Sequence, residues 1–334
     1  MTRHSDAHPA HGVPPHGAPP HGDGQGNGHG QGNGHGPGQG HGHHVADVDW
    51  DAQATALETG AELQLPVLRR TAAHLGELLG PRAQVRRVLD IGSGPGVMTC
   101  VLAEAFADAE TVAVDGSSGL LERTLARAGR LGLGDRVAAR NAELPRGLDG
   151  LGTADLIWSS KAVHHLGDQQ GALDALTAVL RPGGVLAVAE GGLPMRFLPR
   201  DIGIGRPGLQ ARLDAVLEHR FAAMRAELPG AVPVVEDWPA MLGRAGLTRV
   251  GSFTSLLDLP APLGAPGRAF LHAQLTRMRE IAGEVLDAED TETLDVLLDP
   301  GAEQGILRRP DAFLLSATTV FTGMREGAAE GRGQ

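Results

Sequence analysis

The sequence predicts an α/β fold built on a doubly wound, mostly parallel sheet, and three observations support this prediction. An apolar run that ends at Ile91 is typical of a buried parallel strand, and three glycines at alternate positions follow it directly. Further apolar strands then alternate with amphipathic helical stretches along most of the chain. With 334 residues, of which 41% are hydrophobic, the chain can form one enlarged domain with a large core.

The first strand, the glycines and the helix predicted from Val97 form a corner that is suited to nucleotide binding. Gly92, Gly94 and Gly96 let the backbone approach a ligand closely, and the exposed amides of a helix N-terminus favour acceptor atoms. A dinucleotide-binding loop has the pattern Gly-x-Gly-x-x-Gly/Ala. Here the third glycine comes one residue early and Val97 occupies the sixth position. The spacing therefore favours a different nucleotide-derived cofactor.

An acid two residues before the glycines makes the pattern more specific. Asp90 completes an Asp-x-Gly-x-Gly-x-Gly motif, which resembles the first motif of class I S-adenosyl-L-methionine (SAM)-dependent methyltransferases. The resemblance implies a SAM cofactor, with Asp90 orienting the loop amides or meeting the cationic end of the cofactor. The loop residues implied in binding are Gly92, Ser93, Gly94 and Gly96. A purely structural strand-to-helix turn and a Rossmann enzyme with an altered loop are the alternatives.

Two further segments resemble cofactor-binding motifs of the same family. The second predicted strand ends at Asp115, next to Gly116, and a carboxylate at this position can accept hydrogen bonds from both ribose hydroxyls. The third strand is followed by Asn141 and Ala142, in a stretch similar to the family's Asp-Ala-Glu-x-Leu-Pro segment. The resemblance implies that the Asn141 side chain contacts the adenine amino group and that the Ala142 amide meets a ring nitrogen. Asparagine replaces the family's aspartate here, and an ordinary turn is the alternative.

The fourth predicted strand leads into a segment with two adjacent histidines. Ligands of open parallel sheets bind beyond the carboxyl ends of the strands, so we expect Ser159 to His165 to face the methyl group or its acceptor. The segment resembles that of ubiquinone/menaquinone-type and related small-molecule methyltransferases. Either His164 or His165 can take the acceptor's proton near neutral pH, and packing against the next helix is the alternative. Because helical neighbours diverge by about 100°, we expect only one of them to face the pocket.

The resemblance continues into the fifth strand and is loose beyond it. A Leu-Arg-Pro-Gly-Gly turn at residues 180–184, which is frequent in class I methyltransferases, leads to a strand at 185–189. Glu190 follows, and both a place in the pocket and a loop-organising role are open for it. Strands at 248–257 and 312–322 bring the predicted number to seven, and the resemblance implies that the last strand is antiparallel.

The predicted domain organisation has three parts. Residues 46–325 form the methyltransferase domain, with a helical cover before the first strand and helical insertions at 193–235 and 262–300 over the strand tips. Residues 1–45 contain ten of the fifteen histidines, set among glycine, proline, glutamine and asparagine, and are expected to be disordered. The last segment, 326–334, is expected to fray.

The histidine-rich tail also raises the question of metal binding. Neutral imidazole is a good ligand for Ni²⁺ and Zn²⁺, so weak binding of either ion is one hypothesis. A low-complexity tail without a fixed metal site is the alternative, because glycine-rich chain does not hold ligands in place. No metal ion is predicted within the methyltransferase domain.

Whole-chain composition limits the partners and the compartment. The formal net charge of −11 argues against a nucleic-acid substrate. Cys100 is the only cysteine, which excludes an intramolecular disulfide and favours the reducing cytoplasm. The sequence shows neither an apolar run long enough to span a membrane nor the apolar segment of a signal peptide.

The leading functional hypothesis is therefore SAM-dependent methyl transfer to a small-molecule acceptor. Methylation of RNA or protein, a non-catalytic SAM-binding role and NAD-dependent dehydrogenase chemistry are the alternatives. The identity of the acceptor and the oligomeric state do not follow from the sequence.

Overall fold

The computed structural model of the chain describes residues 50–81, 83–144 and 146–327. Segment 1–45, for which disorder and weak Ni²⁺ or Zn²⁺ binding are predicted, lies outside the described residues, as does most of 326–334. Within the described ranges, no helix combines the length and the apolar character that a bilayer crossing requires. The same ranges contain no group of three or more His, Cys, Asp or Glu side chains that could hold a metal ion.

The described part of the chain forms seven strands: β1 (Arg87–Ile91), β2 (Glu110–Asp115), β3 (Val137–Asn141), β4 (Ala154–Ser160), β5 (Leu180–Arg196), β6 (Leu247–Leu259) and β7 (Leu314–Arg325). They make one sheet in the order β3-β2-β1-β4-β5-β7-β6. Strands β1 to β5 pair in parallel, and β7 lies antiparallel between β5 and β6. The predicted seven-stranded, mostly parallel sheet is confirmed.

The described residues also form nine α-helices: α1 (Trp50–Leu63), α2 (Leu65–Leu79), α3 (Val97–Ala105), α4 (Ser118–Arg130), α5 (Gln169–Ala178), α6 (Leu209–Glu227), α7 (Trp238–Arg244), α8 (Ala265–Ala282) and α9 (Ala288–Leu298). Successive side chains of a strand point to opposite faces of the sheet. Val88 accordingly packs in an apolar cluster with residues of α2 and α3, whereas Leu89 packs with residues of α5 and α7. Both faces of the sheet are therefore covered by helices.

A third apolar core lies in the segments that the sequence marks as insertions. Leu213 of α6, Leu271 of α8 and Leu294 of α9 are buried in one cluster with Phe197, which follows β5. The two insertions therefore pack together as one helical layer rather than as two separate additions.

The predicted boundary of the fifth strand differs from the observed one. Strand β5 begins at Leu180 and includes the Pro-Gly-Gly stretch, because the β4–β5 register shifts between the pairs Ala154–Leu180 and Leu156–Val185 and absorbs it. In the insertion at 262–300, helix α8 ends at Ala282, since Gly283 has a φ of 47° and a 3-10 turn follows.

Candidate functional site

The candidate site lies where the strand order reverses, between β1 and β4. Two loops meet there: the glycine loop, residues 92–96, and the histidine turn, residues 161–165. A Cβ added to Gly92 would lie 2.5 Å from the Cβ of Ala162, and Gly92 has a φ of 68°. Only glycine satisfies both conditions, so the two loops pack directly against each other.

The middle of the glycine loop faces open space. Gly94 has a φ of 55°, and no atom lies within 4 Å of the position that its Cβ would occupy. Its amide donates a hydrogen bond to Asp115 Oδ2 at 2.9 Å, and its carbonyl accepts one from Thr124 Oγ1 at 3.1 Å. Asp115 and Thr124 thus hold the loop on one side, and a ligand can approach its opposite side.

Asp115 joins the glycine loop to the start of α4. Its second oxygen, Oδ1, accepts a hydrogen bond from the Ser117 amide at 2.9 Å. A carboxylate offers about four lone-pair positions, so the two backbone bonds leave acceptor capacity for ribose hydroxyls. Gly116, the neighbouring predicted site residue, is exposed and has open space where a side chain would lie.

Asp90 lies beneath the glycine loop instead of on its surface. It is 2% exposed, and Thr99 Oγ1 donates a hydrogen bond to its Oδ2 at 2.6 Å. Desolvation by burial raises the pKa of Asp90 to about 7; the Thr99 bond lowers the pKa, and the nearby Asp115 charge raises it. The hydrogen bond ties the end of β1 to the first turn of α3, and a contact between Asp90 and the cofactor stays a prediction.

Asn141 and Ala142 lie at the tip of β3, beside Asp115. Asn141 Nδ2 donates to the carbonyl of Gly116 at 2.8 Å, which leaves Oδ1 available as an acceptor. The Ala142 amide, predicted to meet adenine, donates to the Asp115 carbonyl at 3.1 Å because the β2–β3 pairing continues past Asn141. The Asn141 side chain is therefore better placed for a base than the Ala142 amide.

Two hydroxyls at the site are buried and have no partner within the described part of the chain. They are Ser93 Oγ in the glycine loop and Ser159 Oγ, next to the end of β4. Ser159 is fully buried and pairs in register with Ile91, the last residue of β1. Buried hydroxyls without partners cost free energy, and they are typical of positions that a ligand or water satisfies.

Glu190, within the long strand β5, organises the histidine turn. Its Oε1 accepts hydrogen bonds from the amides of Ala162 and Val163, at 3.2 and 3.1 Å. Its Oε2 lies 2.7 Å from His164 Nδ1. Because a carboxylate only accepts, Nδ1 carries the proton, and Nε2 of the neutral ring is left as an acceptor. Of the two roles open for Glu190, the loop-organising role is the one that these contacts describe.

The second histidine is held in a different way. The ring of His165 contacts Trp50 of α1 edge-on, with 5.6 Å between centroids, and its Nδ1 is buried without a partner in the described ranges. Desolvation by burial, followed by the influence of the neighbouring His164, lowers the pKa of His165 to about 4. His165 is therefore neutral at physiological pH.

The expected divergence of the two histidine side chains does not occur. Their ring centroids lie 4.2 Å apart, with 49° between the planes. Glu190 holds one ring and Trp50 contacts the other, so contacts from outside the histidine turn hold the two rings close together.

Helix α6 supplies two residues that sequence reasoning missed. Arg225 donates from Nη1 to the carbonyls of His164 and Leu166, at 2.6 and 2.7 Å. The ring of Phe221 lies 5.4 Å from that of His164. Both residues are more than 55 positions beyond the histidine turn, and no local motif marks them in the sequence.

Doubly wound sheets bind nucleotide-derived ligands at such a reversal of strand order, and this chain belongs to that structural class. A family model described as "Methyltransferase domain" matches residues 89–186. The chain is 30% identical over 223 residues to a trans-aconitate 2-methyltransferase from Methylobacterium radiotolerans, across 66% of this chain and 73% of the relative. Over 140 residues it is 38% identical to the biotin biosynthesis bifunctional protein BioCD from Bordetella avium, across 42% and 29%. The chain thus spans under a third of that longer relative.

Among solved structures, a SAM-dependent methyltransferase from Geobacter sulfurreducens, in complex with S-adenosyl-L-homocysteine, has 21% identity and a TM-score of 0.43, across 77% of this chain and 91% of that one. The sequence match over nearly three quarters of the Methylobacterium enzyme establishes the family. The chain belongs to the SAM-dependent methyltransferases, and its cofactor is SAM. The predicted enzyme class is confirmed.

Proposed function

We propose that this enzyme transfers the methyl group of SAM to a small-molecule acceptor that binds beside the histidine turn. The observation that carries the proposal is the direct packing of Gly92 against Ala162, which brings the glycine loop next to His164. One relative is named for a small acceptor, trans-aconitate 2-methyltransferase, and another for an acyl group carried on a protein, malonyl-[acyl-carrier protein] O-methyltransferase. Both names denote carboxylic acids, so we propose an acceptor that carries a carboxylate.

The residues around the glycine loop fit the parts of SAM. The open space at Gly94 admits the cofactor, and the spare lone pairs of Asp115 suit its ribose hydroxyls. The free Oδ1 of Asn141 suits an amino group on the base. The hydroxyls of Ser93 and Ser159, which have no partner in the described residues, suit other polar groups of SAM. The proposed binding set is Asp90, Gly92, Ser93, Gly94, Gly96, Asp115, Gly116, Asn141, Ala142 and Ser159.

In this proposal His164 takes a proton from the acceptor when the reacting atom carries one. SAM supplies a methyl group on a cationic sulfur, which leaves as a neutral thioether. Glu190 holds the tautomer in which His164 Nε2 has a free lone pair. His165, neutral because of burial, lies beside His164 and adds no positive charge to the site near neutral pH. The rest of the catalysis comes from alignment and exclusion of water.

We also propose that residues 46–325 act as one methyltransferase domain, and that the insertion at 193–235 forms a wall of the acceptor site. Phe221 and Arg225 support this role, since both contact His164 from α6. The insertion at 262–300 reaches the site through α8, which packs against α1.

The test is methylation of a metabolite extract with SAM, read by mass spectrometry, with His164→Asn and His165→Asn compared in parallel. We expect a methylated small molecule from the wild type. Loss of a positioned base lowers kcat by about 10²- to 10⁴-fold, so His164→Asn should lose that much and His165→Asn less than tenfold. Glu190→Gln should lower kcat too. The glutamine amide would donate to Nδ1, so the proton of neutral His164 would lie on Nε2, which could then no longer accept one.

Calorimetric titration with S-adenosyl-L-homocysteine is the control, and its Kd should change less than threefold in all three variants. Unchanged turnover in His164→Asn would remove the proton-accepting role. A wild type that binds the cofactor product but methylates nothing in the extract would favour a non-catalytic SAM-binding protein.

A further inference from the structure

A groove runs between α1 and α8, outside the cofactor site described above. Its volume is about 390 Å³, within the range of small-molecule pockets, which is roughly 300–1,000 Å³. Gln53 and Leu57 line it from α1, and Thr276, Arg277 and Glu280 line it from α8. On both helices the lining residues include pairs that are three or four positions apart. One face of α1 therefore forms one wall of the groove, and one face of α8 forms the other.

Arg277 is the cation of this groove. Its guanidinium donates a hydrogen bond to Gln53 Oε1 and makes no ion pair within 4 Å in the described part of the chain. The surrounding protein desolvates the group and lowers the pKa of Arg277, although the negative charge of Glu280 acts the other way. A guanidinium has five N–H donors, so most of its donors stay available for a ligand.

One end of the groove adjoins the histidine turn. Trp50 lies one helical turn before Gln53 on α1, and its ring contacts His165. The positive charge of Arg277 is also among the causes that lower the pKa of His165, so the two side chains are near one another. The groove therefore lies beside the histidine turn along α1.

We propose that this groove is the acceptor site and that Arg277 binds a carboxylate of the acceptor, remote from the atom that is methylated. The inference rests on the proposed function and adds the place and the chemistry of recognition. A planar guanidinium matches a carboxylate with two parallel hydrogen bonds. The chain carries a net charge of −11, so a local cation offsets the repulsion that an anion meets at this surface.

The test is calorimetric titration of the full chain with maleate, its neutral dimethyl ester and inorganic phosphate. We expect maleate to bind, the ester to bind at least tenfold more weakly, and Arg277→Gln to weaken maleate about tenfold. Glu280→Gln should strengthen maleate binding about twofold, because it removes a negative charge from the same groove.

Arg279→Gln is the matched control. It changes the net charge equally on the same helix, but Arg279 pairs with Asp295 at 3.2 Å and does not line the groove. Its maleate affinity should stay within twofold of the wild type. Equal losses in Arg277→Gln and Arg279→Gln, no maleate binding by the wild type, or tighter Arg277-dependent binding of phosphate would each overturn the proposal. The cofactor is titrated in the same samples. Cofactor binding without maleate binding would contradict the groove proposal alone, whereas the absence of cofactor binding would contradict the proposed function.

Discussion

Asp90 is a carboxyl group with almost no access to solvent, and this has a consequence for stability. Its pKa rises from 3.8 to about 7, chiefly because burial disfavours the charged form. Between these two pH values the unfolded chain releases this proton and the folded chain keeps it, so stability falls as the pH rises. Below about pH 4 the burial of Asp90 does not lower the free energy of unfolding. Above about pH 7 it lowers that free energy by the full amount, on the order of 4 kcal/mol.

Asp90→Asn should therefore stabilise the protein in alkaline but not in acidic solution. Asparagine keeps an oxygen that can accept the Thr99 hydrogen bond and cannot ionise. We expect equal Tm values at pH 4 and a gain for the variant at pH 8, with each kcal/mol worth about 2–4 °C. Thermal unfolding followed by circular dichroism measures this. His165 destabilises the fold as the pH falls from 6.5 towards 4, but it does so in both proteins. A variant that melts below the wild type at pH 8 would contradict the prediction.

At the scale of elements, α6 and the histidine turn form one unit. Only Leu209, Gln210 and Leu213, all in the first part of α6, are buried, so the second half of the helix depends on fewer contacts. Arg225 provides two of these through the carbonyls of His164 and Leu166. Hydrogen bonds to a charged group contribute about 1.5–3 kcal/mol each, which is enough to hold the helix end and the turn together.

Arg225→Gln should loosen the histidine turn without unfolding the domain. We expect amide hydrogen exchange in residues 163–166 to speed up about tenfold, and the KM for the acceptor to rise while cofactor affinity stays the same. Arg220→Gln is the matched control, because Arg220 lies exposed on the same helix. If both variants exchanged at the wild-type rate, the two carbonyl contacts would have no part in ordering the turn.

How much of the site can be predicted from the sequence depends on how local each contact is. Gly92 and Asp115 follow directly from strand-end motifs, because the topology alone places consecutive strand tips together. The pairing of His164 with Glu190 joins residues 26 positions apart in the sequence, and the sequence leaves two roles open for Glu190. Arg225 lies in an insertion without a recognisable pattern, so its contact with the turn depends on tertiary packing that no local rule contains.

At the scale of the molecule, the parallel half of the sheet follows from apolar strands that are fully buried, and their ends agree with prediction to within a few residues. Strands β6 and β7 also lie within three residues of their predicted ranges, whereas β5 extends to Arg196, seven residues beyond its predicted end, and pairs through two register shifts with β7. The side chains of β5 beyond Glu190 are exposed or half-buried, which weakens the apolar signal at this end of the strand. The two insertions form a shared core around Leu271. The sequence shows each insertion as a separate amphipathic stretch, and this pattern does not reveal that their apolar faces pack against one another.

Deletion of residues 1–45 should leave the enzyme intact and remove its affinity for nickel. The strands and helices of the described residues lie between Trp50 and Arg325, and the sequence of residues 1–45 has few apolar side chains that could pack on them. Ten of the fifteen histidines are lost with the segment. We expect cofactor affinity and Tm to match those of the full chain, and Ni²⁺-resin retention at low imidazole to disappear. A truncated protein that melts several degrees lower would show that the segment packs on the domain, and retained nickel binding would place the metal ligands among the remaining histidines.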